Sequence, residues 1–170
     1  RDITEDEQGN LWILTTQNEL YKSIAEQELL VKQHIDSKQV ISRIIINTQN
    51  SLWVEFVNNG IRQYTFSGDT LSLTQDFTAL GPLRIIDESL DNKIWFAKNH
   101  KIYVSSLEAG VTTISEFCDL NLILPTVKGE IRAIQLDKKG RVWVAFNGFG
   151  LLQLKQKGRQ FSYKHYPGTS

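Results

Sequence analysis

The stretch ITEDEQGNLWILT at residues 3–15 decides the fold, because the chain repeats its pattern three more times. The other copies are IIINTQNSLWVEF at 44–56, IDESLDNKIWFAK at 86–98 and IQLDKKGRVWVAF at 134–146. Every copy starts with isoleucine, has a short polar residue fourth and glycine or asparagine seventh, and has tryptophan tenth between two apolar residues. A short polar residue followed by glycine or asparagine favours a tight hairpin turn. We therefore predict four copies of one β unit, with the tryptophans as packing anchors between units: Trp12, Trp53, Trp95 and Trp143.

The spacing of the tryptophans indicates what kind of unit is repeated. Successive tryptophans are 41, 42 and 48 residues apart, a period that matches the four-stranded blade of a β-propeller. Solenoids of helix pairs have a similar period, but this chain has short β-branched and aromatic runs between turn residues and no long segment with a period of 3.6 residues. For the second copy the pattern predicts strands at 41–46, 52–56, 61–66 and 71–77.

The predicted fold is all-β, a β-propeller fragment of four four-stranded antiparallel blades. One propeller segment covers residues 1–170, with approximate blade boundaries at 1–35, 36–77, 78–124 and 125–170. The innermost strands of the last three copies begin twelve residues before their tryptophans, at Ile41, Leu83 and Ile131, but the same position for Trp12 falls before residue 1. The chain also lacks methionine. We therefore expect a piece of a longer array and not a complete natural ring.

Composition excludes several classes of function. The chain has 19 basic and 19 acidic residues, so no long-range field would attract nucleic acid or a membrane surface. No apolar stretch is long enough to span a bilayer, and no signal peptide is visible. The single cysteine, Cys118, cannot form an internal disulfide, and beside Phe117 it is expected to be a buried small hydrophobic residue and not a catalytic thiol.

The repeated phrase resembles a known family, the two-component regulator propeller repeat. The resemblance rests on Ile3, Asp6, Gly9, Trp12 and Thr15 with the residues between them, and it extends over all four copies. It is strongest in the first and fourth copies, which keep aspartate and glycine in the turn, whereas the second and third copies have asparagine in place of the glycine.

Membership of that family would place the chain in the periplasmic sensor region of a hybrid two-component signalling protein, as found in Bacteroides. Such proteins carry long arrays of blades outside the inner membrane, followed by a β-sandwich linker, a transmembrane helix, a histidine kinase, a receiver and often a DNA-binding domain. Their usual ligands are oligosaccharides. The resemblance therefore implies a periplasmic sensor segment that detects oligosaccharides and relays to a kinase outside this chain, with attachment to the membrane only through segments that this chain lacks.

Candidate recognition residues lie in the turns between the second and third strands, which gather on one face of a propeller around its central channel. Amide side chains offer a donor and an acceptor together, which suits sugar hydroxyls, and an exposed aromatic ring would cover an apolar sugar face. Asparagine is also an ordinary turn residue, so a purely structural role is the alternative. The turns contain Gln17 and Asn18, Asn58 and Asn59, Asn99 and His100, and Asn147 and Phe149.

Arginines form a second candidate group, eleven residues before three of the four tryptophans. They are Arg1, Arg84 and Arg132, and the second copy has Ser42 followed by Arg43. Guanidinium groups near the channel mouth would bind the carboxylate or sulfate of an acidic sugar through paired hydrogen bonds. The alternative is that they pair with neighbouring acids such as Asp2, Asp87 and Glu130.

An enzymatic function has less support in the sequence. Similar repeats occur in streptogramin lyases, closed propellers with a catalytic histidine and acidic groups around a metal. The histidines here are His34, His100 and His165, of which at most one would lie at a central site. No pair has a spacing typical of metal ligands, and no nucleophile, base and orienting acid form a recognisable arrangement. We predict no catalytic residue, no metal site and no cofactor.

A structural or partner-binding module is the remaining alternative. Four blades in a row leave two uncovered terminal faces, which further blades of the parent array or a second copy of the chain would cover. The segment 107–129 carries an insertion of about six residues relative to the other copies, and such insertions are expected to form loops.

Overall fold

The computed structural model describes residues 1–24, 28–35, 38–67, 70–89 and 91–168. Within these ranges sixteen strands form four sheets, each containing four strands in chain order. The prediction of an all-β fold with four four-stranded antiparallel blades is confirmed, and the chain is a partial β-propeller.

The strands of each sheet follow one another along the chain. The first sheet consists of β1 (Asp2–Glu5), β2 (Leu11–Leu14), β3 (Leu20–Ile24) and β4 (Leu29–Gln33). The second consists of β5 (Ile41–Ile46), β6 (Ser51–Phe56), β7 (Gly60–Ser67) and β8 (Thr70–Asp76). The third consists of β9 (Arg84–Glu88), β10 (Ile94–Lys98), β11 (Lys101–Glu108) and β12 (Val111–Asp119). The fourth consists of β13 (Ile131–Leu136), β14 (Arg141–Phe146), β15 (Gly150–Lys157) and β16 (Gln160–Tyr166).

The strands predicted for the second copy agree closely with β5 to β8. The first has the predicted bounds, and five of the six boundaries of the other three are displaced by one residue. The hairpin between the first two strands turns at Asn50, which has the left-handed φ of 53° that this residue type tolerates. Turn chemistry and β-branched runs are local signals, which is why the sequence predicts these elements well.

Helical structure is confined to two short connections. A 3₁₀ turn covers Thr78–Leu80, and the single-turn helix α1 covers Leu120–Ile123. Across the described ranges, no helix has both the length and the apolar character needed to cross a membrane.

Each sheet has two faces that differ in the repeat residues they carry. Ile45 pairs with Trp53, whereas Ile44 pairs with Val54, so the first isoleucine of the repeat and the tryptophan point to opposite sides. We call these sides the isoleucine face and the tryptophan face of a sheet.

The chain contains two compact units, residues 1–84 and residues 85–170. In the first unit, Trp12 lies on the tryptophan face of the first sheet, and its ring centroid is 4.9 Å from that of Phe66 in the second sheet. The same core contains Ile44, Leu52 and Val54 from the isoleucine face of the second sheet. Full burial of each such aliphatic side chain stabilises the fold by about 1.5–3 kcal/mol.

The second unit repeats this packing. Trp95 and Ile102 from the tryptophan face of the third sheet share a core with Ile134, Val144 and Leu152 from the isoleucine face of the fourth. In both units, therefore, the tryptophan face of the earlier sheet packs on the isoleucine face of the later one.

Three of the tryptophans are buried, as packing anchors must be. Trp12, Trp53 and Trp95 are almost inaccessible to solvent. Trp143 is half-buried on the tryptophan face of the fourth sheet, where it stacks on Tyr166 with ring centroids 5.7 Å apart.

The sequence led us to expect a loop at the insertion in 107–129, but this segment does not form a simple loop. It contains the end of β11, all of β12 and the helix α1, followed by a connection to β13. Phe117 is an extra residue in β12, because Ile102 pairs with Cys118 and Tyr103 with Glu116. Counted from the tryptophans, β12 occupies nearly the same positions as β8, so the added residues lie in α1 and in the connection to β13.

Candidate functional site

The polar residue of the repeated phrase has a structural role. Asp6 Oδ1 accepts the backbone N–H groups of Gln8 at 3.1 Å and Asn10 at 2.9 Å, and Asp6 Oδ2 accepts the indole N–H of Trp12 at 3.0 Å. In the fourth copy, Asp137 Oδ2 accepts the indole N–H of Trp143 at 3.0 Å. The aspartate thus closes the turn and also satisfies the tryptophan, so these residues are not free to bind a ligand.

The pKa values of both aspartates reflect these bonds. Burial acts to raise the pKa of Asp6, but the hydrogen bonds from Trp12 and Asn10 outweigh it and hold that pKa below its ordinary value. The hydrogen bond from Trp143 is the main cause that lowers the pKa of Asp137, against an opposing effect of desolvation. Both side chains are therefore carboxylates at neutral pH.

The second and third copies lack this arrangement. Asn47 Oδ1 still accepts the backbone N–H of Ser51 at 2.9 Å. Ser89 has a shorter side chain, and its hydroxyl bonds to Asp91 and to the carbonyl oxygen of Lys93. The indole N–H of Trp95 is buried and has no hydrogen-bond partner among the described residues.

The candidate recognition turns share one edge of each sheet with the connection that follows the fourth strand. Gly60 has a φ of 92°, and a Cβ placed on it would lie 2.6 Å from the carbonyl oxygen of Gly81. Gly150 has a φ of 91° and is packed in the same way against the backbone of Tyr166. We call this edge, which contains the turns at 15–19, 57–60, 99–100 and 147–149, the loop edge.

Asn18 uses its amide to join two parts of the loop edge. Its Oδ1 accepts the backbone N–H of Ile41 at 2.6 Å, and its Nδ2 donates to the carbonyl oxygen of Gln39 at 3.1 Å. Asn18 therefore has a structural role, which was the alternative to ligand binding. One N–H and one lone pair of its amide remain for a ligand.

His100 is held in a similar way. Its Nε2 lies 2.9 Å from the carbonyl oxygen of Gly129, and its Nδ1 lies 3.1 Å from Oδ1 of Asn121. Both ring nitrogens are occupied by the protein, so neither is available to a metal ion or a sugar hydroxyl in this arrangement.

Three of the predicted amides are free. The side chains of Asn58, Asn59 and Asn147 make no hydrogen bond within the part of the chain that the structure describes, and Asn58 and Asn147 are exposed. Asn58 takes a left-handed φ of 59°, so its residue type also suits the turn. Asn58 and Asn59 lie together in one turn of the first unit, and Asn147 belongs to the second unit.

The expectation of an exposed ring at Phe149 is wrong. Phe149 is half-buried against the core of the second unit, and its ring stacks on His165 with centroids 4.2 Å apart and contacts Phe146 edge-on at 5.6 Å. His165 Nε2 also bonds to the backbone carbonyl oxygen of Phe149 at 2.8 Å. One face of the Phe149 ring is therefore covered by the imidazole and cannot stack on a sugar.

The arginine position coincides with β-bulges. Arg132 is the extra residue of a bulge in β13, and Ser42 is the corresponding residue in β5. A bulge redirects the side chain that it contains. Arg132 Nη2 lies 3.2 Å from Glu130 Oε2 with both side chains about half exposed, so the pairing alternative is observed for this residue. Such an exposed pair contributes about 0–1 kcal/mol and would release the guanidinium at little cost.

The other arginines occupy strand starts in the first unit. Arg84 is half-buried as the first residue of β9, and Arg1 is exposed before β1.

A polar cavity of about 210 Å³ lies at the loop edge of the first sheet. Its lining includes Asn18, Glu19, Lys32, Gln33 and His34. Lys32 Nζ lies 2.6 Å from Glu19 Oε1, and this hydrogen bond lowers the pKa of Glu19 and raises that of Lys32. We call this cavity of about 210 Å³ the first-blade cavity.

The sequence alone pointed to only one of these lining residues as a recognition residue. A signal was nevertheless present, because Glu19 occupies the position at which the second and fourth copies have Gly60 and Gly150. A carboxylate, an ammonium group and amides around a small cavity can donate and accept hydrogen bonds from a polyhydroxylated ligand.

Metal-ligating groups and the single cysteine are the features that bear on a catalytic function. The described residues contain no group of three or more His, Cys, Asp or Glu side chains placed to hold a metal ion. Cys118 is buried, as expected, and burial, with smaller effects of Glu116 and Asp119, raises the pKa of its thiol to about 12.

Comparison with known proteins finds similarity in structure only. No protein-family model and no curated protein matches the chain. The fold is similar to that of virginiamycin B lyase from Staphylococcus aureus, solved in a catalytically inactive form with quinupristin, with TM-score 0.67 and 22% identity over 98% of this chain and 54% of that one.

Two other solved structures have a similar fold. The extracellular domain of a proposed hybrid two component system from B. thetaiotaomicron gives TM-score 0.67 and 16% identity over 99% of this chain and 24% of that one. YCF48 from Cyanidioschyzon merolae gives TM-score 0.65 and 16% identity over 90% of this chain and 49% of that one. The chain thus spans about half or less of these proteins, and at such identities the similarity establishes the propeller fold alone.

Proposed function

We propose that the chain is a ligand-recognition segment of an extracytoplasmic propeller sensor, which detects oligosaccharides and relays their binding to a histidine kinase outside this chain. The observation that carries the proposal is the fold that it shares with an extracellular domain of a hybrid two component system. The resemblance of the repeated phrase to two-component regulator propeller repeats supports the same function. A periplasmic location follows from this proposal.

The loop edge supplies groups that suit such a ligand. Asn58 and Asn59 present free amides in the first unit, where the first-blade cavity adds Glu19 and Lys32. Amides, carboxylates and ammonium groups together match the mixed donors and acceptors of a sugar. In the second unit Asn147 contributes a further free amide.

The proposal is tested by titrating the purified chain with neutral and acidic oligosaccharides under isothermal calorimetry. We expect binding to at least one sugar class, and we expect the double substitution Asn58→Ala and Asn59→Ala to weaken it about tenfold, because each lost hydrogen bond contributes about 0.5–1.5 kcal/mol. Gln49→Ala is the matched control, because this exposed amide lies in the hairpin at the opposite edge of the same sheet. An absence of binding to every sugar in the panel contradicts the proposal.

The predicted role of the arginines is tested in the same titrations. Replacement of both Arg84 and Arg132 by alanine should weaken the binding of acidic sugars more than that of neutral ones, because a guanidinium group pairs with a carboxylate. Equal losses for both classes would exclude this role.

A partner-binding module is a second candidate, favoured by one exposed surface. On the isoleucine face of the first sheet, Ile3 is 58% exposed and Leu11 39%, whereas the equivalent Ile44 and Leu52 of the second sheet are 2% and 0% exposed. We propose that this open apolar face, whose equivalent is buried in the second copy, is a docking surface. The tryptophan face that would cover it is open in the fourth sheet, where Leu151 is 42% exposed, so a second copy of the chain offers the complementary surface.

A further inference from the structure

A cavity of about 510 Å³ opens in the second unit, between the outer strands of the third and fourth sheets. One wall is the end of β12 with α1, including Asp119, Leu122 and Ile123. The other wall is β16 and the turn before it, including Arg159 and Tyr163. We call this cavity the outer groove.

The outer groove lies where β12 and α1 face β16. Phe117, the bulge residue of β12, packs edge-on against Phe161 of the opposite wall with ring centroids 5.2 Å apart. Beyond it, α1 continues from β12 and adds Leu122 and Ile123 to the wall. The second copy has only the 3₁₀ turn Thr78–Leu80 at the corresponding position, and α1 is the one α-helix among the described residues.

Three polar side chains of the outer groove have no partner among the described residues, whereas Asp119 accepts the backbone N–H of Asn121 at 2.9 Å and lies 3.5 Å from Lys101 Nζ. Arg159, Gln160 and Tyr163 form no side-chain hydrogen bond or ion pair with any residue that the structure describes. All three are exposed, and Tyr163 leaves 48% of its surface open. A guanidinium group, an amide and a phenol that converge on one cavity without partners are available to a ligand.

Apolar surface accompanies these polar groups. Leu122 is 84% exposed, more than any other large hydrophobic residue for which exposure is described. Cys118 lies on the floor, and because its raised pKa keeps the thiol protonated, it is an apolar contact and not a nucleophile. The groove therefore combines polar groups with apolar surface, and its cysteine is not a reactive thiolate.

The combination of groups limits the class of ligand. A volume of about 510 Å³ falls within the range of about 300–1,000 Å³ that is usual for organic ligands, and it is far larger than an inorganic anion requires. The ring of Tyr163 can cover the apolar face of a sugar, Asp119 and Gln160 can accept hydrogen bonds from its hydroxyls, and Arg159 can hold a carboxylate in a bidentate pair. A sugar acid uses all of these groups, whereas a neutral sugar leaves the guanidinium without its preferred partner.

We propose that the outer groove is a binding site for a uronate-containing oligosaccharide, with Arg159 on a carboxylate and Tyr163 against a sugar ring. None of its lining residues is one of the candidate recognition residues of the loop edge. The proposal rests on the proposed function for the class of ligand, and it assigns a site that the repeated phrase does not predict.

The test is a calorimetric titration of the whole chain with trigalacturonate, compared with maltotriose. We expect saturable binding of trigalacturonate, at least tenfold weaker in Arg159→Gln and in Tyr163→Ala, since charge-assisted hydrogen bonds and ring contacts are both lost. Lys164→Ala is the matched control, because it removes a neighbouring positive charge from β16 outside the groove and should leave the affinity unchanged. Unchanged thermal unfolding of the variants shows that they fold.

The possible failures of the two proposals differ. If trigalacturonate does not bind while maltotriose does, or if it binds equally well to Arg159→Gln, the outer groove is not the site and the sensor proposal stands. If Lys164→Ala weakens binding as much as Arg159→Gln, the effect is one of general charge and the groove is again excluded. If neither sugar binds and no other sugar of the panel does, both proposals fail.

Discussion

Asp6 and Ser89 occupy the same position of the repeat, yet they leave their tryptophans in different states. The carboxylate of Asp6 reaches the indole N–H of Trp12, whereas the Ser89 side chain does not satisfy Trp95. A buried donor without a partner costs about 1–3 kcal/mol. The polar residue of the repeated phrase therefore affects stability, which accounts for its recurrence without any role in binding.

Replacement of Asp6 by serine should reproduce the third-copy arrangement in the first. We expect Asp6→Ser to lower the free energy of unfolding by about 1–3 kcal/mol, because the Trp12 indole loses its acceptor in a buried site. Urea unfolding of the chain at pH 7 measures the effect. Introducing Asp6→Ser into a Trp12→Phe background is the control, and a cost that is no smaller there contradicts the assigned bond.

The same difference should depend on pH. Because the folded-state pKa of Asp6 is lowered, its contribution is complete above the unfolded-state pKa of about 3.9 and is lost as the pH falls through the lowered folded value. The stability gap between the wild-type chain and Asp6→Ser should accordingly narrow on acidification below about pH 4.

At the scale of elements, the loop edge is organised by close approach of backbone segments. Gly60 lies against the backbone around Gly81, and the left-handed φ of 92° is one that other residues rarely adopt. Gly140 is also left-handed, with a φ of 69°, but a Cβ added there would meet nothing within 4 Å. A side chain at Gly140 would meet only the strain of a positive φ, whereas a side chain at Gly60 would also clash with backbone atoms.

Substitution of each glycine by alanine should have unequal effects. We expect Gly60→Ala to destabilise the chain by about 1–3 kcal/mol more than Gly140→Ala, because only the former adds a clash with backbone to the strain of a positive φ. Thermal or urea unfolding of the two variants gives the comparison. Equal losses would mean that the turn at Gly60 can move away from the segment around Gly81.

At the scale of the whole molecule, the repeat predicts what should cover its open face. Within each unit a tryptophan face packs on an isoleucine face, whereas Ile3 and Leu30, on the isoleucine face of the first sheet, are each 58% exposed. The open tryptophan face of the fourth sheet is its complement. Two copies joined through these faces form a heterologous contact.

Self-association should therefore be measurable and specific to this face. We expect sedimentation velocity to show concentration-dependent association of the chain, which Ile3→Glu reduces because a carboxylate is costly to bury in an apolar interface. Leu107→Glu is the matched control, since Leu107 is 49% exposed near the hairpin of the third sheet, away from that face. A chain that stays monomeric at all concentrations, or a Leu107→Glu variant that dissociates equally, excludes the contact.

Local chemistry is what the sequence determined by itself. The four copies, the strands of the second sheet to within one residue and the left-handed turn at Asn50 follow from residue patterns no longer than a hairpin. Such patterns depend on neighbours a few positions apart, so they can be identified without the fold.

Only the tertiary structure decided which side chains are available to bind a ligand. Asn18 and Asn58 look alike in the sequence, but Asn18 is bonded to Ile41, 23 residues away, whereas the Asn58 amide is free. His100 is similarly bonded to Gly129 across 29 residues, and Phe149 is covered by His165. The outer groove likewise needs α1 beside a strand of another sheet. Contacts between residues distant along the chain leave no periodic signal, which is why only folding shows which side chains are left for a ligand.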